Sequence, residues 1–214
     1  MWLNWLARPF PTTKRFDESL AELRRTQELD PLSPQVNSSV GMGLHYARQY
    51  DRAVEALRRA IELDSSSFWA HALLGMAYQQ QGELDKAIAE LRRARELNDI
   101  PWTRAMLGNA YAVAGDRAEA LKIVAGLKED SRRLVVAPYD VALVYAGLGE
   151  KDQALAWIEK AYQARSFFMP MLQVEPRFDG LRSDPRFQDL LRRMGFPQQC
   201  GASLQACEPT VESA

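Results

Sequence analysis

The chain has 214 residues, room for one or two compact domains, with 26% charged and 47% hydrophobic residues and a formal net charge of −1. That balance leaves no overall field to draw nucleic acid or an anionic membrane, and no apolar run approaches the roughly 18 residues of a spanning helix. The only cysteines, Cys200 and Cys207, lie near the C terminus, so the body carries no staple, which fits a reducing cytoplasm.

In chain order, "MWLNWLARPFP" is apolar but lacks a basic region and a small-residue cleavage site, so it does not make a convincing secretory signal and a cytoplasmic protein is expected. Pro9 and Pro11 break any helix there, and residues 1–13 are read as an irregular segment. Its tryptophans are expected to cover the end of an array that begins inside a longer one. From Phe16 the chain reads "FDESLAELRRTQELD", then "YDRAVEALRRAIELD" from Tyr50 and "LDKAIAELRRARELN" from Leu84. The interval is 34 residues each time. Four further columns keep that step to within one residue: Gly41, Gly75 and Gly108; Ala53, Ala87, Ala120 and Ala154; Gly82, Gly115 and Gly149; Tyr78, Tyr111 and Tyr145.

Each unit holds two helical stripes. In "AHALLGMAYQQQ" the residues Leu73, Leu74, Ala77 and Tyr78 share a face, and Gly82 stops the helix. In the next stretch Leu84, Ala87, Ile88, Leu91, Ala94 and Leu97 form the second stripe. The short loop makes the two helices antiparallel, and Asp17, Asp51 and Asp85 are expected to cap the second helices. The units are a partial repeat at 14–33, whose second helix spans 17–29, and full repeats at 34–67, 68–101, 102–134 and 135–165. Arg117 and Lys151 replace the Tyr50 and Leu84 type of residue, Pro138 delays a helix start, and the stretch Gly126–Leu134 is expected to break the helical register. Beyond, "VEPRFDGLRSDPRFQDLLRRMGFP" offers Asp184 as an N-cap, Pro185 as the first helical residue, and Phe187, Leu190, Leu191 and Met194 as a stripe ended by Gly195 and Pro197. Residues 166–197 are read as a terminal cap, and 198–214 as a disordered tail.

The 34-residue period, with glycine in the first helix, glycine at the turn and alanine in the second helix, resembles the tetratricopeptide repeat (TPR). The resemblance implies an all-α fold: a TPR α-solenoid, a right-handed superhelix of antiparallel helix pairs, closed here by a C-terminal capping helix. With "ALVYAGLGEKDQALAWIEKAYQARS" followed by "VEPRFDGLRSDPRFQDLLRRMGFP", most of the chain is also similar to the C-terminal TPR regions of bacterial serine/threonine kinases, winged-helix regulators and adenylate cyclases. That implies, as an alternative, the regulatory portion of a larger bacterial signalling protein.

No constellation for catalysis, cofactor or metal is visible. His45 and His71 lack a second ligand at metal spacing, and the glycines punctuate helices rather than cradle phosphate. The arginine pairs Arg24–Arg25, Arg58–Arg59 and Arg92–Arg93 recur with the repeat, but Glu22, Glu55 and Glu90 precede them closely enough to neutralise a solvated face, which disfavours nucleic acid. In the TPR family ligands lie in the concave groove lined by the first helices. By matching positions that lining comprises Met42, His45, Tyr46, Trp69, Met76, Gln79, Gln80, Trp102, Met106, Asn109, Val113 and Tyr139. Trp69 and Trp102 are expected as anchors, Tyr46, Met76 and Met106 as wall, and Gln79, Gln80 and Asn109 as polar guides for a protein or peptide partner. The basic clamp for a peptide carboxylate used by some members is absent.

Overall fold

The computed structural model describes residues 13–130 and 138–196, with side chains from Glu18 onward. The N-terminal segment and its tryptophans, the Asp17 cap, the end of the Gly126–Leu134 stretch, Pro197 and the tail with both cysteines lie outside the described residues.

Helices α1 (Thr13–Leu29), α2 (Pro34–Tyr46), α3 (Tyr50–Leu63), α4 (Phe68–Gln80), α5 (Leu84–Leu97), α6 (Pro101–Val113), α7 (Arg117–Asp130), α8 (Pro138–Gly147) and α9 (Lys151–Gln163) follow in line. Two short 3-10 turns, Met169–Gln173 and Pro176–Leu181, lead to α10 (Pro185–Arg193). Each helix packs on the next, so α2/α3, α4/α5, α6/α7 and α8/α9 are hairpins and one apolar core runs from Leu20 to Phe196. None of the described helices is long and apolar enough to cross a membrane.

The small columns set the spacing of the stack. A Cβ on Gly41 would lie 2.4 Å from Leu57 Cγ, and one on Gly75 would lie 2.6 Å from Leu91 Cγ. The second helices thus push a leucine into the gap left by each missing side chain, and Ala53, Ala87, Ala120 and Ala154 are fully buried beside them. The expected break in α7 does not occur within the described part. Ala120, Val124 and Leu127 are buried at the spacing of Ala87, Leu91 and Ala94, so the stripe carries on past Gly126.

The aspartate caps need correction. α3 and α5 start from Gln49 and Glu83, neither of which makes a side-chain cap. Asp51 and Asp85 are therefore the second residues of their helices, in the first turn, where a carboxylate favours the helix dipole rather than closing the helix. Asp184 does cap: its Oδ1 accepts from the Arg186 backbone N–H at 2.9 Å, with Pro185 at the first helical position.

The arginine pairs are used differently from the expectation. Arg58 Nε and Nη2 donate to the Tyr78 hydroxyl at 3.0 and 2.7 Å, and Arg92 Nε donates to Tyr111 at 2.8 Å. Lys128 donates to Tyr145 at 2.6 Å. A cation of one second helix thus locks the tyrosine of the next first helix. The other members, Arg59 and Arg93, pair with Glu62 and Glu96, acids that follow rather than precede them. At the first joint the tyrosine column holds Leu44, and the buried Arg24 Nε has no partner.

The last hairpin departs from the regular step. α8 leans on α6 more than on α7, the reverse of the earlier joints. Gly147 permits this: a Cβ there would meet Asn109 Nδ2 at 2.7 Å and Ala112 Cβ at 3.0 Å.

Candidate functional site

The first helices α2, α4, α6 and α8 all reach one face of the stack, where the groove is expected. Met42, Tyr46, Trp69, Met76, Trp102 and Tyr139 converge there on one cavity. Trp69 and Trp102 stack at 4.6 Å between ring centres and 24° between planes, half-buried, so each packs between units and also shows an edge to the groove.

The groove is occupied by the chain itself. After α9, Arg165 takes φ 50° and turns the chain back. Pro170 and Pro176 stand at the starts of the two 3-10 turns, where proline fixes φ and prevents regular α-helix. The resulting strap, residues 166–182, lays Phe168, Met171, Glu175 and Arg177 against the six wall residues. The remaining space is a cavity of about 20 Å3, enough for one water and no side chain. Phe178 is fully buried, edge-on to Tyr139 at 5.5 Å. Beyond the strap, α10 docks on α9 through Arg193, bonded twice to Glu159 at 2.8 and 2.9 Å, and through Arg186 to Asp152 at 2.8 Å.

At the centre lies a buried ion pair. Arg177 Nε and Nη2 donate to both oxygens of Glu175 at 2.7 and 2.8 Å, and Nη1 reaches Met106 Sδ. The side chains are 4% and 1% exposed. Burial pushes the Glu175 carboxyl up, but the Arg177 charge and hydrogen bonds more than offset it and hold it below the usual range. Burial holds the hydroxyls of Tyr46 and Tyr139 firmly protonated. Arg48, in the α2–α3 turn, donates from Nη1 and Nη2 to Asp179 at 2.6 and 2.8 Å. First repeat and strap are thereby joined across 131 positions of sequence.

The other groove residues divide in use. Met106 is fully buried under Arg177. Gln79 Nε2 donates to Asn109 Oδ1 at 2.7 Å, and Asn109 Nδ2 donates to the Leu143 carbonyl at 2.6 Å. These two are thus a buried staple between successive first helices rather than ligand guides. His45 is buried between Tyr46 and Tyr50, with neither ring nitrogen bonded. Gln80 and Val113 do not line the cavity, and Val113 is 45% exposed. His71, on the packing side, meets Glu90 at 2.6 Å. Among the described residues no group of three or more His, Cys, Asp or Glu is placed to hold a metal. Sequence reasoning missed the strap residues and Arg48. The available signal was that position 48 belongs to the column of Gly82, Gly115 and Gly149.

Two buried titratable groups, Asp140 and His45, couple the fold to pH. Burial raises the Asp140 carboxyl to about 7, with Arg177 pulling weakly the other way, and its Oδ1 has no partner. Burial lowers His45 to about 4. The native Asp140 carboxyl holds its proton more tightly than the unfolded chain does. Its contribution is full below the ordinary carboxylate value and disappears as pH rises to 7. His45 works in reverse: its contribution is present above 6.5 and lost as pH falls to 4. Between those limits the two slopes oppose. Asp140→Asn leaves His45 unopposed, so its unfolding free energy should fall more steeply than the parent's from pH 6.5 to 4, by up to about 3 kcal/mol. Urea unfolding at three pH values checks this; parallel profiles would reject the Asp140 assignment.

Models of the TPR repeat match residues 44–82, and of the tetratricopeptide repeat residues 68–99, 101–124 and 139–167, together just over half of the chain. A thermophilic TPR protein of Thermus thermophilus superposes with a TM-score of 0.58 at 22% identity, over 78% of this chain and 91% of that one. MamA superposes with a TM-score of 0.50 at 24% identity, over 70% and 88%. At such identities the likeness speaks for the fold. No curated protein matches the chain. The repeat columns, the stacked helix pairs and the family matches agree, and the chain belongs to the tetratricopeptide repeat proteins.

Proposed function

We propose that this protein is a non-catalytic protein-interaction module that binds a peptide segment of a partner in its concave groove. The observation that supports this is the strap: the groove accommodates a non-α-helical stretch of polypeptide, with aromatic and methionine side chains seated on its wall. Such a surface suits an irregular peptide, since Met adapts its shape and Trp and Tyr provide large rigid contacts. Trp69 and Trp102 act as anchors, and Tyr46, Met76 and Met106 as wall.

Affinity capture tests it, with the intact chain as bait beside Trp69→Ala plus Trp102→Ala, both checked for folding by circular dichroism. Removing two central aromatic anchors should weaken a groove partner by at least about 2 kcal/mol, some 30-fold. Partners recovered equally by both baits would place binding elsewhere.

A further inference from the structure

We infer that residues 166–182 are a built-in competitor locked over the groove by Arg48, and that the groove's partner carries the same chemistry as this strap: an acid and an arginine two residues apart, flanked by large apolar side chains. The inference deepens the groove reading above and rests on it.

The lock is marked by an exception in the repeat. The turn residues Gly82, Gly115 and Gly149 have φ of 80°, 85° and 73°, a region costly for any residue with a Cβ. Their counterpart in the first described hairpin is Arg48, at φ 60°. Local geometry asks for glycine there; the arginine is accounted for by its two bonds to Asp179. The latch is about two-fifths exposed on both sides, whereas the Glu175–Arg177 pair is buried. Solvent and competitors reach the latch first.

The partner's chemistry follows from what faces the insert. The wall offers uncharged hydroxyls from Tyr46 and Tyr139 and the Met106 thioether, and the buried His45 ring and Asp140 carboxyl lie near enough to feel the charges of the insert. No cation of the wall answers a lone acid inserted there, so an insert that neutralises itself fits best. The strap is also an imperfect occupant. Tyr139, on the wall, has a buried Oη with no partner within the chain, and a peptide that supplies one gains what the strap forgoes. With only about 20 Å3 free, strap and partner exclude one another.

The test uses the full chain and a fluorescein-labelled synthetic peptide of residues 166–182, followed by anisotropy. Binding in trans scales with the fraction of molecules whose strap is open. Arg48→Gly should bind the probe roughly five- to ten-fold more tightly than the parent, with no loss of melting temperature, since glycine relieves the turn. Asp179→Asn, which breaks the latch from the strap side, should shift affinity in the same direction, and Arg48→Lys should lie between. A probe with Arg177→Met should lose at least ten-fold. Equal affinity for parent and both latch variants overturns the lock, while the groove reading survives if that binding still needs Trp69 and Trp102. Equal binding of the Arg177→Met probe overturns the partner chemistry. No binding to any form overturns both the inference and the groove reading.

Discussion

Replacing Arg177 by methionine is expected to destabilise the docked C-terminal region by about 3–5 kcal/mol, the largest single-residue effect predicted for this chain. Methionine preserves much of the buried length, so the loss is not chiefly one of volume. It arises because Glu175, 1% exposed, is left as a buried carboxylate without its counter-ion. Two controls separate this from loss of packing. Glu175→Gln combined with Arg177→Met removes both charges and should recover most of the loss, since a buried ion pair exchanged for neutral groups of similar shape is often near neutral. The single variant should also become acid-stabilised. Without the Arg177 guanidinium, burial outweighs the backbone N–H of residue 177 that still donates to Glu175, and the native carboxyl moves above its unfolded value, so the deficit grows as pH rises and shrinks toward pH 4. Urea unfolding followed by tryptophan fluorescence at pH 4.5 and 7.5 reads both effects. A single variant no worse than the double at pH 7.5 would mean that the pair is not the centre of the docking. Weak salt dependence is expected too, since buried charges are poorly screened.

What was legible in the sequence follows the range of the forces involved. The hairpins were readable because each column answers a contact repeated at one interval: Gly75 against Leu91, Gly41 against Leu57. Met42, Tyr46, Trp69, Met76, Trp102 and Tyr139 meet at one cavity for the same reason, since each first helix repeats the face it presents there. The strap was not. Its contacts to Arg48 and Met106 span 131 and 71 positions, and its two 3-10 turns, set by Pro170 and Pro176, carry no periodic stripe. The groove residues Gln79 and Asn109 were misjudged because position alone does not tell an open amide from one spent on its neighbour. The aspartate caps failed locally: Gln49 and Glu83 adopt ψ of 63°, and the helices begin one or two residues before the carboxylates. Arg48 is the instructive case. Its importance lay in breaking a column of glycines, and a residue that breaks a local rule needs a contact elsewhere to hold it.

The second large effect tests the stacking itself. Leu91→Ala should cost about 2–5 kcal/mol, because Leu91 is fully buried where two helices cross. Gly75→Ala sits on the other side of that contact. Alanine is intrinsically better than glycine in a helix by about 1 kcal/mol, yet its Cβ would lie 2.6 Å from Leu91 Cγ and 3.0 Å from the Ala87 carbonyl oxygen. The clash should win, for a net loss of about 1–3 kcal/mol. Combined, the two changes should cost less than their sum by about 1–2 kcal/mol, since the new methyl enters space that the leucine has vacated. Recovery stays partial because the carbonyl cannot retreat as a side chain does. Gly126 supplies the internal comparison: a Cβ there meets nothing within 4 Å, so Gly126→Ala should stabilise α7 by about 0.5–1 kcal/mol. Urea midpoints of the four variants decide it. Strict additivity at Gly75 and Leu91, or a gain from Gly75→Ala equal to that from Gly126→Ala, would show that the glycine column does not set how closely the helices approach.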